Sequence, residues 1–273
     1  MVGESFSTNL ATTSGAFQTA VAGGEDAFVL RLDDSTSSTA PVINASGVVS
    51  GATFQPGIVA GSWVSILGRN LSVATRIWQG SDFSGNSLPT NLDGVQVNIN
   101  GQPAAVYYIS PTQLNVQAPA SINGSVSVQV VRSGVSSNTV TANAVPTAPG
   151  LFTYTGNSKV YPAAVYPDGV LVGDPAVTSG ARKAKAGDRI LLYATGLGSS
   201  PAGTLIQGAS PLGSSITVSL GSATAAVEFA GLVAVGEFQI NIVVPDLPDG
   251  EWPVVLQVGA ASSQAGVVIP ITH

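Results

Sequence analysis

The sequence predicts an all-β chain: two tandem antiparallel Ig-like β-sandwiches behind an extended N-terminal tail that carries one strand. Three observations predict it. The chain repeats itself, since Gln113-Leu-Asn-Val-Gln-Ala-Pro119 returns 126 positions later as Gln239-Ile-Asn-Ile-Val-Val-Pro245. Apolar residues alternate with polar ones, as in Val95, Val97 and Ile99 against Gln96, Asn98 and Asn100, the period of a strand with one buried face. No stretch sustains apolar residues at helical spacing, and turn residues recur roughly every 8 to 12 positions, as in a sandwich.

Residues 1–41 read as tail and linker. Ala27 to Leu32 has a strand's composition, and Gly23-Gly24 turns into it. Phe28, Leu30 and Leu32 would share one face, with Val29 and Arg31 on the other. The run Ala22-Gly-Gly-Glu-Asp-Ala-Phe-Val-Leu-Arg-Leu-Asp33 resembles the close of a bacterial β-propeller repeat of the SBBP type. That resemblance implies the end of a longer array, because one blade fragment cannot close a propeller. Asp33 to Pro41 is a polar linker.

The first sandwich is expected over 42–147 and the second over 148–273. At the 126-residue shift, Gly61-Ser-Trp-Val-Ser-Ile-Leu faces Gly187-Asp-Arg-Ile-Leu-Leu-Tyr, Gly124 faces Gly250, and Ser136-Ser137 faces Ser262-Ser263. A period this long means duplicated domains, not a solenoid. Asn100-Gly101 marks a hairpin. Leu151 to Lys185 has no partner in this alignment and reads as loops with one or two edge strands.

Composition removes several function classes. Charged residues are 9% of the chain, against about 25% in an ordinary domain. Of the net charge of −6, the first 34 residues contribute −4 through Glu4, Glu25, Asp26, Asp33, Asp34 and Arg31. No basic stripe exists to displace counterions from phosphates, so nucleic acid is not an expected partner. There is no cysteine, hence no disulfide, thiolate metal site or cysteine nucleophile. No apolar run reaches the 18 residues or so of a membrane-spanning helix. The start, Met1-Val-Gly-Glu, has no signal-peptide pattern, so the expectation is either a removed leader or a piece of a longer exported chain.

From Gly61-Ser-Trp-Val-Ser-Ile-Leu-Gly through Leu88-Pro-Thr-Asn-Leu-Asp-Gly-Val-Gln-Val to Pro103 and on to Pro119, the chain resembles an uncharacterised acidobacterial, Solibacter-type C-terminal domain family. Pro149-Gly-Leu-Phe152, Tyr193-Ala-Thr-Gly-Leu-Gly198, Phe229-Ala-Gly-Leu232 and Phe238 to Pro245 continue the pattern in order. The resemblance spans residues 55–270 or so. It implies tandem IPT/TIG-type modules at the end of a long secreted protein, and carries no catalytic role.

The candidates for chemistry are sparse. His273 is the only histidine, and a terminal residue is a poor general base for a serine triad. Neither G-x-S-x-G nor S-x-x-K occurs. Asp246, Asp249 and Glu251 flank one turn and read either as a weak Ca²⁺ site or as a solvated turn. Asp168 and Asp174 make a similar weak case. Gly196 to Gly203 is glycine-rich but lacks a P-loop lysine, so it reads as a loop. Among the aromatics, Trp78 in the Arg76-Ile-Trp-Gln-Gly loop is the best exposed candidate for stacking on a sugar, with Tyr154 and Tyr166 behind it. Trp63 and Trp252, which with Tyr107 and Tyr108 are among the aromatics that could stack on a sugar, fall on predicted strands and read as core or half-core. Gln113/Asn115 and Gln239/Asn241, present in both copies, read as structural side chains that satisfy a neighbouring loop.

The expected function is therefore non-catalytic: an extracellular structural, adhesion or surface-assembly module. Its edge strands would be available for self-association or a protein partner, with residues 27–32 (Ala27, Phe28, Val29, Leu30, Arg31, Leu32) as strand donor. The alternatives are a carbohydrate-binding module for polysaccharide, with an aromatic platform near Trp78, and a secreted hydrolase, with or without a dependence on Ca²⁺. No cofactor other than Ca²⁺ is expected.

Overall fold

The computed structural model describes residues 2–5, 26–29 and 40–273. The chain divides into two units, Met1–Thr39 and Ala40–His273. In the first, β1 (Val2–Ser5) and β2 (Asp26–Val29) pair antiparallel, with Val2 opposite Val29 and Ser5 opposite Asp26. The tail strand thus has a partner inside the tail itself. Leu30, Arg31 and Leu32, and most of the propeller-like run, lie outside the described residues.

The second unit opens with β3 (Val42–Ser50), β4 (Trp63–Arg69), β5 (Arg76–Ile77), β6 (Val95–Ile99), β7 (Gln102–Pro103), β8 (Ala105–Ile109), β9 (Gln113–Gln117), β10 (Gly124–Arg132), β11 (Val135–Ser136) and β12 (Val140–Ala144). They form two antiparallel sheets, ordered β3-β4-β9-β8-β5 and β11-β10-β6-β7, with β12 also on β10. The predicted alternation holds: Val95, Val97 and Ile99 are buried at 1% exposure or less, and they close on Val64, Ile66, Leu114 and Val116 of the facing sheet. This is the inward half of each strand packing against the other sheet.

The remainder comprises β13 (Gly150–Leu151), β14 (Thr153–Gly156), β15 (Lys159–Pro162), β16 (Ala164–Val165), β17 (Arg189–Thr195), β18 (Ser210–Pro211), β19 (Ile216–Leu220), β20 (Ala223–Ala234), β21 (Glu237–Val243), β22 (Gly250–Val258), β23 (Ala261–Ser262) and β24 (Val268–Ile271). The strand order β17-β21-β20 repeats β4-β9-β8, and β19-β22-β23 repeats β6-β10-β11. One difference is strand continuity. The first copy breaks between β7 and β8 at Ala104, whereas β20 runs unbroken through both sheets, so they join into one ten-stranded network.

The duplication extends to irregularities. Strand β8 bulges at Tyr107, between Val106 opposite Val116 and Tyr108 opposite Asn115. Strand β20 bulges at Glu228, between Val227 opposite Ile242 and Phe229 opposite Asn241. Ser137 Oγ accepts the Val130 N–H at 2.9 Å, and Ser263 Oγ accepts the Leu256 N–H at 3.0 Å. Gln113 donates to Asn115 at 2.8 Å, and Gln239 to Asn241 at 2.7 Å. These amides satisfy each other along one strand face, rather than a neighbouring loop as the sequence suggested.

Part of the segment that aligned with nothing has an equivalent in the first copy. Leu151 lies opposite Ala194 and Ala164 opposite Leu192, where the first copy sets Ile43 opposite Gly68 and Val48 opposite Ile66. Strands β13 and β16 are the two halves of a β3 split by the β14–β15 hairpin. The insertion falls where β3 already breaks register between Ile43 and Val48, a point where extra residues leave the flanking pairs intact.

Candidate functional site

Each sandwich has its own core, and a third apolar cluster lies between them. Leu88, Ala105 and Val235 are buried there, with Trp63, Trp78, Phe83 and Ile206 packed on them. Polar groups complete the junction. The side chain of Gln117, 1% exposed, donates to Gly61 O (3.0 Å) and Pro201 O (2.9 Å) and accepts the Gly203 N–H (3.0 Å). Thr195 Oγ1 donates to Gly236 O at 2.7 Å and accepts the Trp63 N–H at 3.2 Å. The glycine-rich stretch Gly196 to Gly203 is a loop, as expected, and it is the strap on which this junction closes: Ser200 Oγ donates to Gly61 O at 3.0 Å, and Leu88 N–H to Gly203 O at 2.9 Å.

Beside this junction opens a cleft of about 410 Å³, lined by Trp63, Trp78, Tyr107, Asn115, Phe152, Leu205 and Glu237, among others. Its volume is in the range of about 300–1,000 Å³ typical of small-ligand sites. Trp63 begins β4, and Tyr107 is the bulge residue of β8, which turns that side chain toward it. The two rings stand 5.3 Å apart at 58°. Trp78 follows β5 and is pinned by its backbone N–H donating to Tyr107 O at 2.8 Å. Its ring meets Tyr107 at 5.0 Å and 79°, and Trp63 at 5.9 Å and 60°. Such tilted pairs add about 0.5–1.5 kcal/mol each beyond area burial. The rings form a corner around Trp78.

Local sequence explains the placement of each ring. Arg76 Nε and Nη2 each bond Asp93 at 2.7 Å, while Nη1 bonds Asp82 Oδ2 at 2.8 Å. The Gln79 N–H donates to the same Asp82 oxygen at 2.7 Å. This double carboxylate clamp closes the 76–83 loop and holds Asp82 and Asp93 below the usual carboxylate value, chiefly through the Arg76 hydrogen bonds. Two glycines make room for Trp63, one at its Cβ and backbone and one at its indole. A Cβ at Gly51 would stand 2.9 Å from Trp63 Cβ, and one at Gly236, where φ is +61°, 3.2 Å from Trp63 Cδ1.

Glu237 supplies the cleft's charge. Its carboxylate has no hydrogen-bond or ion-pair partner among the described residues. Burial raises its pKa above the ordinary 4.5. Tyr193 stands nearby and is raised in turn, first by its own burial and then by the Glu237 charge.

The other sequence candidates lie elsewhere. Tyr154 stacks on Tyr161 at 5.4 Å and donates to Val172 O at 3.3 Å. Tyr166 is 3% exposed, donates to Lys183 O at 2.9 Å, and carries the Arg182 guanidinium 3.7 Å from its ring centre. Neither lines the cleft; both are tied into the fold by their hydroxyls. Trp252 is half-buried against the second core and donates to Pro248 O at 2.8 Å.

The acidic trio does not converge. Asp249 Oδ1 takes the His273 N–H at 2.8 Å and faces its ring nitrogen at 2.9 Å, with Asp246 3.7 Å from the other ring nitrogen. Glu251 is instead bound by Lys159 and by Tyr161 Oη at 3.2 Å. Asp168 and Asp174 pair with Arg182 and Lys183 at 3.2 Å. No group of three or more His, Asp or Glu side chains suited to a metal occurs among the described residues. His273 is held more firmly than a terminal residue was expected to be. Among the described residues, though, no serine hydroxyl bonds its ring.

The sequence reading set Trp63 aside as core or half-core and did not single out Gln117 or Glu237. A signal for the first two existed in the duplication itself. The position of Trp63 is Arg189 in the second copy, that of Tyr107 is Glu228, and that of Gln117 is Val243. Where the first copy builds an aromatic wall, the second has an exposed Arg189–Glu228 ion pair at 2.8 Å.

Residues 53–154 match the IPT/TIG domain, a span holding most of the first sandwich and reaching the start of the β14–β15 hairpin. No curated protein matches the chain. Among solved structures it is similar to SGBP-B of the mixed-linkage glucan utilization locus of Bacteroides ovatus, in complex with a mixed-linkage heptasaccharide (11% identity, TM-score 0.33, 79% of this chain and 43% of that one). It is also similar to the surface glycan-binding protein PbSGBP-B of Prevotella bryantii (12%, 0.25, 83% and 41%). A third is FdeC, an adhesin of Escherichia coli (12%, 0.27, 94% and 71%). The chain spans less than half the length of the two glycan-binding structures.

Proposed function

We propose that this chain is a non-catalytic extracellular binding module, in which two firmly joined sandwiches hold a saccharide unit of a polysaccharide in the cleft at their junction. One observation carries the reading: Trp63, Trp78 and Tyr107 line the same cleft with a side-chain amide, Asn115, and a carboxylate, Glu237. Apolar sugar faces stack on aromatic rings, and sugar hydroxyls bond amides and carboxylates, so this mixture suits a sugar. Glu237 is the only carboxylate among the lining residues. Glycoside hydrolysis uses a pair about 5–9.5 Å apart, which supports binding over cleavage. The reading is tested by electrophoresis through gels containing mixed-linkage β-glucan, xyloglucan or chitosan. Wild type should be retarded by at least one of them and Trp63→Ala and Trp78→Ala released. Retardation that survives both substitutions, or none on any polysaccharide, would refute it.

A second reading, assembly by strand pairing, rests on the tail. Strands β1 and β2 pair with each other, and a two-stranded sheet is marginal alone and offers a further edge on each strand. Residues 27–29 would then recruit a neighbouring chain through a shared sheet. Sedimentation of the chain with and without residues 1–39 checks this: assembly requires a mass that falls on deletion, and an unchanged mass eliminates it.

A further inference from the structure

The ring geometry and the lone carboxylate together narrow the ligand. Three rings tilted at 58–79° to one another cannot all lie flat beneath an extended chain. They admit one compact residue, stacked on one ring and edge-on to the next. Glu237 lines the same cleft and follows Gly236, whose backbone abuts the Trp63 indole. The carboxylate is partly desolvated and has no partner among the described residues, while its oxygens stay open to the cleft, so a cationic group entering the cleft can reach it. Lysines and arginines form ion pairs elsewhere on this surface, as Lys159, Arg182, Lys183 and Arg189 do. No cation lines this cleft.

We infer that the cleft selects a saccharide residue bearing a free amine, a 2-amino-2-deoxy sugar, with its ammonium group between the Glu237 carboxylate and the tryptophan rings. This rests on the saccharide reading above and specifies its ligand class. An ammonium gains twice here: a charge-assisted bond to the carboxylate, and attraction to the ring faces, strongest for tryptophan, of about 0.5–2 kcal/mol. A neutral hydroxyl gains neither to the same degree. An N-acetylated residue has no charge and must also fit an acetyl group into the corner.

The test is titration calorimetry of the whole chain with three β-1,4-linked hexamers at physiological salt: glucosamine, N-acetylglucosamine and glucose. The glucosamine hexamer should bind about tenfold more tightly than the other two, the weight of one partly desolvated ion pair. Glu237→Gln keeps shape and volume, and should bring the three within about twofold. Trp78→Ala, compared by circular dichroism to confirm folding, should abolish measurable binding of all three. Equal affinities in wild type would overturn the amine inference while leaving the saccharide reading standing. A preference that survives Glu237→Gln or Trp78→Ala would also overturn it, since it would come from attraction of the polycation to the net negative chain elsewhere. Failure of all three hexamers to bind would overturn the amine inference; the electrophoretic test above, with its neutral glucans, then decides separately whether the saccharide reading stands.

Discussion

Gln117→Val removes the polar staple of the junction and asks how much it holds. Valine is the residue at the equivalent position of the second copy, Val243, opposite Ala226 as Gln117 is opposite Ala105. Strand β9 should therefore tolerate it, and any loss reports on the junction. Three hydrogen bonds disappear. Gly61 O keeps Ser200 Oγ at 3.0 Å, so it is not orphaned. Pro201 O and Gly203 N–H are, although water can reach them in part. At about 1 kcal/mol net per bond, with an added penalty for the two stranded groups, the loss is about 3–4 kcal/mol. Valine's apolar burial returns about 1 kcal/mol, leaving about 2–3 kcal/mol. For a unit of this size that lowers the melting midpoint by about 5–10 °C. Urea unfolding followed by tryptophan fluorescence measures it, because Trp63 and Trp78 sit on the junction. A splitting of the transition into two steps would follow from the same logic, with each sandwich unfolding alone. A change below about 0.5 kcal/mol would refute the claim that this amide joins the sandwiches.

Two further expectations follow from paired features. Ser137→Ala and Ser263→Ala remove the same buried hydroxyl bond from the two copies, worth about 1–2 kcal/mol, and Ser137→Ala also loses the 2.6 Å bond to Asn138 O, so Ser137→Ala should be the costlier of the two in denaturant unfolding; a greater loss for Ser263→Ala would contradict this. Arg76 holds Asp82 and Asp93 below their ordinary value of 3.8. A depressed carboxyl contributes its stability above the unfolded value and loses it as pH falls through the folded one. Fluorescence of the Trp78 loop should thus stay level from neutral pH down to the upper side of 3.8 and change only below it, and Arg76→Ala should abolish that acid-side change; a change centred near pH 6 would contradict the clamp.

The fold was legible because duplication presents the same pattern twice. Gln113-Leu-Asn-Val-Gln and Gln239-Ile-Asn-Ile-Val become β9 and β21 with the same partners and the same Gln–Asn bond. Alternation fixes which side chains point inward, and that requires no knowledge of neighbours. Three things were not legible for physical reasons. Strand β1, Val2-Gly-Glu-Ser, has no strand signature of its own and exists through its pairing with β2. The split strand β13/β16 was hidden because a hairpin inserted at a bulge erases sequence alignment while preserving register. The site was hidden because it is made of differences. Trp63, Tyr107 and Gln117 occupy framework positions of β4, β8 and β9, so each looks like core from its own strand. Only the second sandwich, closing on them through the 196–203 strap, turns them into a cleft wall and its hinge pin. Trp78 stood out early because its loop sequence exposed it, whereas Tyr154 and Tyr166 shared its residue class but not its place.

Tryptophan indole resonances give the most direct view of the central claim, that the junction cleft is the binding site. The chain has three tryptophans: Trp63 and Trp78 line the cleft, while Trp252 bonds Pro248 on the second sandwich and serves as an internal control. In ¹H–¹⁵N spectra recorded during addition of the glucosamine hexamer, the Trp63 and Trp78 indole signals should move together along one saturable curve while the Trp252 signal stays fixed. Movement of Trp252 with Trp63 and Trp78 unmoved, or no saturable movement of any of the three, would contradict the account.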